Sequence, residues 1–103
     1  MLRHKFHAKP TTVDEKRFDS KLEARYYNNL KIRQKSREIL FFLRQVSFEL
    51  PGGVRYVCDF QVFFADGSVC FVDTKGKDTQ MSINKRKQVE EIYPIKIEIV
   101  NRC

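Results

Sequence analysis

The stretch VRYVCDFQVFFADGSVCFVDTKG, residues 54–76, decides the fold. Two runs rich in Val, Phe and Tyr flank Ala65-Asp66-Gly67, which reads as a hairpin. Side chains alternate between faces along a strand. Val57, Phe63, Val69 and Phe71 then share one face, and Cys58, Phe60, Val62 and Val72 share the other. A sheet that is apolar on both faces needs cover on both. The pattern predicts an α/β layered fold, with helices on either side of a sheet.

Two segments can supply that cover. FDSKLEARYYNNLKIRQKSREI, residues 18–39, carries a helical stripe of Leu22, Tyr26, Leu30 and Arg33, widened by Ala24, Tyr27 and Ile32. Asp19 or Ser20 can cap its start. MSINKRKQVEEIY, residues 81–93, is the second helix, ended by Pro94. ILFFLRQVSFEL, residues 39–50, reads as one strand or as two short strands bent near Arg44. Residues 51–53, PGG, turn it into the hairpin, and IKIEIV, residues 95–100, is a final strand. The expected order is αβββαβ in a single domain with a mixed sheet, residues 18–103, preceded by a basic, irregular arm at residues 1–17.

The chain has 103 residues and a net charge of +7, which favours an acidic partner, most commonly nucleic acid. The basic residues cluster in RHKFHAK, in KIRQKSR and around KGK and KRK. Arg3, Lys5 and Lys9 of the arm, with Lys77, Lys85, Arg86 and Lys87, are the expected phosphate contacts, and His4 and His7 sit among them. No run of about 18 apolar residues is present to span a membrane, and MLRHKFHAKP has no secretory character. Cys58, Cys70 and Cys103 match no zinc spacing. These features predict free thiols in a reducing cytoplasm.

Acids lie in three of the predicted elements: Glu23 in the first helix, Asp59 in the long strand, and Asp73 in the returning strand with Lys75 two residues on. Hairpin register decides whether the aspartates meet. A two-residue loop at Asp66-Gly67 puts Asp59 opposite Thr74. A three-residue loop with Gly67 left-handed puts Asp59 opposite Asp73, and that loop type favours Gly at its last position. The three-residue loop is the expected one. Opposed carboxylates, roughly 5 Å apart at Cβ, destabilise a sheet unless a cation lies between them. Mg²⁺ is commonly held by one or two carboxylates with waters and substrate phosphate. On this basis Asp73→Asn is expected to be no less stable than the wild type without metal.

FDSKLEA, YVCDF and VDTKG, in this order and on these elements, resemble the PD-(D/E)XK nuclease superfamily, and among its members small phage-borne recombination nucleases and Holliday-junction resolvases. Cys58 stands where the superfamily's name has Pro. The resemblance covers residues 18–100 and implies a restriction-endonuclease-like core. It implies a Mg²⁺- or Mn²⁺-dependent endodeoxyribonuclease acting on branched DNA as a homodimer, because two strands must be cut at related positions. Its catalytic residues would be Glu23, Asp59, Asp73 and Lys75. Its metal would take Glu23, Asp59, Asp73 and the backbone carbonyl of Thr74, with Gln45 as an accessory polar residue. If phage-encoded, it would work in the host cytoplasm.

Each residue also has a plainer reading. Ser20-Lys21-Leu22-Glu23 is a capping box, in which Glu23 bonds back to the cap. Asp73 and Lys75 can be a surface ion pair, and Lys85, Arg86 and Lys87 a solvated helix face. Tyr26 and Tyr27 fit helix packing. The alternative function is a non-catalytic nucleic-acid-binding module.

Overall fold

The computed structural model describes residues 10–102. Arg3, His4, Lys5, His7, Lys9 and Cys103 lie outside the described residues.

The first elements correct the sequence reading. The segment expected to be irregular forms a hairpin, β1 (Thr11–Val13) and β2 (Lys16–Phe18), joined by Asp14 and Glu15 at φ 52° and 62°. Two left-handed residues suit the right-handed twist of a hairpin, but the usual Asn-Gly or Asp-Gly signal is missing. The hairpin belongs to the domain core. Phe18 is fully buried and its ring lies 4.9 Å from that of Tyr27.

Helix α1 (Lys21–Lys35) follows. Ser20 caps it, its hydroxyl accepting from the Glu23 amide at 3.1 Å. Leu22, Ala24, Tyr27 and Leu30 are buried, Tyr26 is half-buried, and Ile32 at the far end is exposed. Strand β3 (Ile39–Leu50) is a single element, and the bend expected near Arg44 falls on Gln45, at φ 55°. Strands β4 (Val54–Phe64) and β5 (Val69–Thr74) form the central hairpin, and α2 (Gln80–Ile92), capped by Thr79, leads into β6 (Ile97–Val100). The sheet order is β3-β4-β5-β6, antiparallel except for the parallel β5–β6 pair. After β2 the order is the expected αβββαβ, with a mixed sheet flanked by two helices.

Two apolar clusters cover the sheet. Ala24, Tyr27 and Leu30 of α1 pack with Phe18, Ile39, Phe60, Val62 and Val72. Val89 of α2 packs with Leu50, Tyr56, Cys58 and Ile97, and Phe71 joins from β5. The cover on the α2 side is incomplete. Leu40, Phe41, Leu43 and Val69 remain exposed, with Phe41 stacked on Phe63 at 4.3 Å. Among the described residues no helix is long and apolar enough to cross a membrane.

Candidate active site

The hairpin register is the three-residue one. Phe60 pairs with Val72, Gln61 with Phe71, Val62 with Cys70 and Phe63 with Val69. Gly67 sits at φ 93°, the Phe64 amide donates to the Ser68 carbonyl at 2.9 Å, and the Gly67 amide donates to the Phe64 carbonyl at 3.0 Å. The paired register ends at Phe60 and Val72. One step on, Asp59 and Asp73 are matched by number, but they turn to different sides of the sheet, so the expected shared face for the two carboxylates is not observed. The strands are joined there through side chains. The Asp59 amide donates to Asp73 Oδ1 at 2.7 Å, and the Thr74 amide donates to Asp59 Oδ2 at 2.9 Å. The Thr74 hydroxyl adds a second bond to Oδ2 at 2.9 Å. Thr74, expected to act through its carbonyl, meets Asp59 through these two donors.

From this rung the two acids part. Asp73 is buried on the α2 side and accepts from the Tyr56 hydroxyl. Arg86 stands beside that phenol and is itself held by Asp78 at 2.6 and 3.2 Å. Burial, then the bond to Asp73, raises the Tyr56 phenol well above its ordinary pKa. Burial and the charge of Asp73 likewise raise the Cys58 thiol, which marks it as an inert core thiol.

Asp59 turns toward α1. Gln45 Nε2 donates to Glu23 Oε2 at 3.0 Å and to Asp59 Oδ1 at 3.4 Å, so one amide bridges the two carboxylates. Glu23 projects from the first turn of α1 and is buried. Its amide completes the Ser20 cap while its side chain reaches the sheet, so capping and site roles coexist. Burial, then the negative charge of Asp59, pushes the Glu23 carboxyl up to about 7, while Arg44 pulls it down. Arg44 Nη2 lies 3.5 Å from Glu23 Oε2, and its guanidinium lies over the Phe18 ring at 4.1 Å. Burial, then the charge of Asp73, raises Asp59 as well, against its bonds to Thr74 and the nearby charge of Lys75.

The backbone at this point is strained. The β3–β4 ladder runs Arg44↔Phe60 and then Val46↔Cys58, passing over Gln45 and Asp59. A non-glycine residue in the left-handed region costs about 1–2 kcal/mol, and strain of this kind concentrates at functional sites. Here it aims the Gln45 amide at two acids.

Glu23, Gln45, Asp59, Thr74 and Lys75 thus come together, and Asp73 adjoins them through the Asp59 amide. Among the described residues no three His, Cys, Asp or Glu side chains are arranged to hold a metal ion. The two-carboxylate set of Glu23 and Asp59 nonetheless fits a hard cation. It offers oxygen donors of the kind and number Mg²⁺ uses, and each acid's charge is opposed by the other or by Asp73. Of the expected phosphate contacts, Lys85 lines a pocket with Lys75, Arg86 is committed to Asp78, and Lys77 and Lys87 are exposed. Sequence reasoning missed Arg44 and Tyr56. The signal for Tyr56 was available, because a buried tyrosine needs a partner for its hydroxyl and Asp73 is the acid across the hairpin.

A family model described as a protein of unknown function, DUF1064, matches residues 3–103. No curated protein and no solved structure matches the chain.

Proposed function

We propose that this protein, which belongs to the DUF1064 family, is a Mg²⁺- or Mn²⁺-dependent endodeoxyribonuclease of PD-(D/E)XK type. Its proposed substrate is branched or recombination-intermediate DNA. The observation that carries the reading is the crowding of Glu23 and Asp59 under one Gln45 amide, beside Lys75. Burial and Asp59 raise Glu23, and burial and Asp73 raise Asp59; neighbouring acids perturbed in this way carry a standing cost and concentrate at functional sites.

The cation held by Glu23 and Asp59 would supply positive charge to the scissile phosphate and lower the pKa of a water. Gln45 holds the two carboxylates at a fixed separation. Thr74 fixes Asp59 through two bonds. Asp73 positions Asp59 from the other side by accepting its amide, and Tyr56 holds Asp73 in turn. Lys75, whose charge acts on Asp59, would orient the attacking water and stabilise charge building on the phosphate oxygens. Water oxygen bonds to phosphorus and gives up a proton to solvent, the phosphorus–oxygen ester bond breaks, and the leaving oxygen takes a proton from solvent. Lys77, Lys85 and Lys87, with Arg3, Lys5 and Lys9, track the DNA backbone, and Arg86 braces Tyr56. Paired cuts call for two copies of the chain, and the exposed Leu40, Phe41 and Leu43 of β3 are where we place the interface between them. The reading places the protein in the cytoplasm, that of the host if phage-encoded.

A second reading, a nucleic-acid-binding module without catalysis, is favoured by one observation. Arg44 approaches Glu23 to 3.5 Å, so a protein cation already answers part of the acidic charge. Supercoiled plasmid and a synthetic four-way junction, incubated with Mg²⁺ or Mn²⁺ and with EDTA, separate the two. Cleavage that EDTA abolishes supports the nuclease; binding without cleavage in either metal supports the module.

A further inference from the structure

Beside Lys75, on the α2 side of the sheet, is a pocket of about 200 Å³, against roughly 30 Å³ for one water. Arg55 and Lys85 join Lys75 in its wall, Ser82 adds a hydroxyl, and no carboxylate lines it. Among the described residues Arg55 and Lys85 form no ion pair. Glu49 stands opposite Arg55 in the β3–β4 register yet is not within ion-pair distance of it. Asp78, the acid nearest the start of α2 in sequence, is taken by Arg86 at 2.6 Å. The first turn of α2 contains no acid either, so its positive end is not offset there. Val57 and Met81 complete the wall, and both are exposed.

Three cations converging on a polar hollow suit an anion with several acceptor oxygens. The apolar side chains at its rim suit an anion that carries a sugar and base. We propose that Arg55, Lys75, Lys85 and Ser82 seat a backbone phosphate of DNA, a second phosphate beside the one at the Glu23–Asp59 pair. Lys75 is common to both positions, and Tyr56 lines the pocket while holding Asp73, so the two sites share a wall. The pocket rests on the nuclease reading for which phosphate it orients, but its binding of DNA does not.

The test is binding of a labelled duplex in EDTA, where no cleavage occurs, over a range of salt. The variants are Arg55→Ala with Lys85→Ala, and a charge-matched control, Lys35→Ala with Lys96→Ala, at exposed positions elsewhere. The pocket variant is expected to bind at least about tenfold more weakly, with the salt slope reduced by about 0.9 for each phosphate that it no longer neutralises. The control is expected to change both by less than half as much. Equal effects from the two variants, or an unchanged slope in the pocket variant, would overturn the proposal. Inorganic phosphate at constant ionic strength is the competing arm. Saturable phosphate binding lost in the pocket variant, with duplex binding intact, would make this a free-anion site and overturn the proposal. Cleavage distinguishes the two readings: a protein that never cleaves but loses slope in the pocket variant keeps the pocket and loses the nuclease. The reverse pattern keeps the nuclease and loses the pocket.

Discussion

Asp59 and Asp73 are joined across the end of the central hairpin through their side chains, and their surroundings differ in kind. On the α2 side, Asp73 is enclosed by donors: the Tyr56 hydroxyl, the Asp59 amide, and Arg86 behind Tyr56. On the α1 side, Glu23 and Asp59 share a Gln45 amide; Arg44 offsets Glu23, and Asp59 accepts twice from Thr74 and feels the charge of Lys75, yet both carboxyls stay raised. The first arrangement is a closed network of the kind that holds a core together. The second keeps two carboxyls with raised pKa under one amide, at a cost to stability. On the proposed reading the α2-side acid serves as support and the α1-side pair as the chemical centre, a division that can be broken at several points.

The largest effects are expected on the α1 side and in activity. Glu23→Gln and Asp59→Asn should each lower DNA cleavage by at least about 10²-fold, the scale at which single electrostatic groups act, while both proteins stay folded by circular dichroism. Full cleavage in either would remove that residue from the site.

Asp73→Asn should act next, and chiefly on stability. Seen from the sequence, the substitution relieves repulsion and should cost nothing. The structure reverses that expectation, because Asp73 is an acceptor for two donors and an amide nitrogen would face one of them. A loss of about 1.5–3 kcal/mol in urea unfolding is expected, the range for hydrogen bonds to charged groups. A variant as stable as the wild type would show that the Tyr56 network is not what holds the rung.

The pH dependence gives a smaller, signed effect. The Glu23 carboxyl titrates near 7 in the fold against 4.5 for the ordinary group. Between those values the folded protein binds more protons than the unfolded chain, so stability falls as pH rises through that window. In EDTA, Glu23→Gln should flatten this part of the stability–pH curve. An identical slope in the variant would place the titration elsewhere.

Gln45→Gly should be smallest in stability. It relieves the left-handed strain, worth about 1–2 kcal/mol, but loosens the strand by about 0.5–1 kcal/mol and loses the bridging amide. A net change within about 1 kcal/mol is expected, with cleavage reduced about tenfold. Unaltered cleavage would mean that the bridge does not position the acids.

The central hairpin was legible because its information is local. Strand alternation and a Gly placed for a left-handed turn fix the register from Phe63–Val69 to Phe60–Val72, but alternation fails beyond it: Cys58, expected on the face of Phe60, packs on the α2 side, and Asp59 and Asp73 do not share a face. The β1–β2 hairpin was not legible because Asp14 and Glu15 carry no turn signature, and the conformation is supported from a distance, Tyr27 donating to Asp14 at 3.1 Å. The candidate site was legible in its members and less so in its arrangement. Alternation places Asp73 on one face, but it does not say that Tyr56 will claim the carboxylate. Nor does it show that a left-handed Gln45 will turn toward α1, since that depends on tertiary packing that single-residue preferences do not encode.

The most direct measurement is urea unfolding of the wild type and of Glu23→Gln at pH 7.5, each in EDTA and in Mg²⁺. If the Glu23–Asp59 pair is a cation site, Glu23→Gln is the more stable protein in EDTA, because one of two opposed charges is gone. Mg²⁺ then stabilises the wild type by mass action and leaves the variant nearly unchanged, closing or inverting the gap. A variant less stable than the wild type in EDTA, or stabilised by Mg²⁺ to the same extent, would contradict the account and make Glu23 an ordinary structural partner of Arg44.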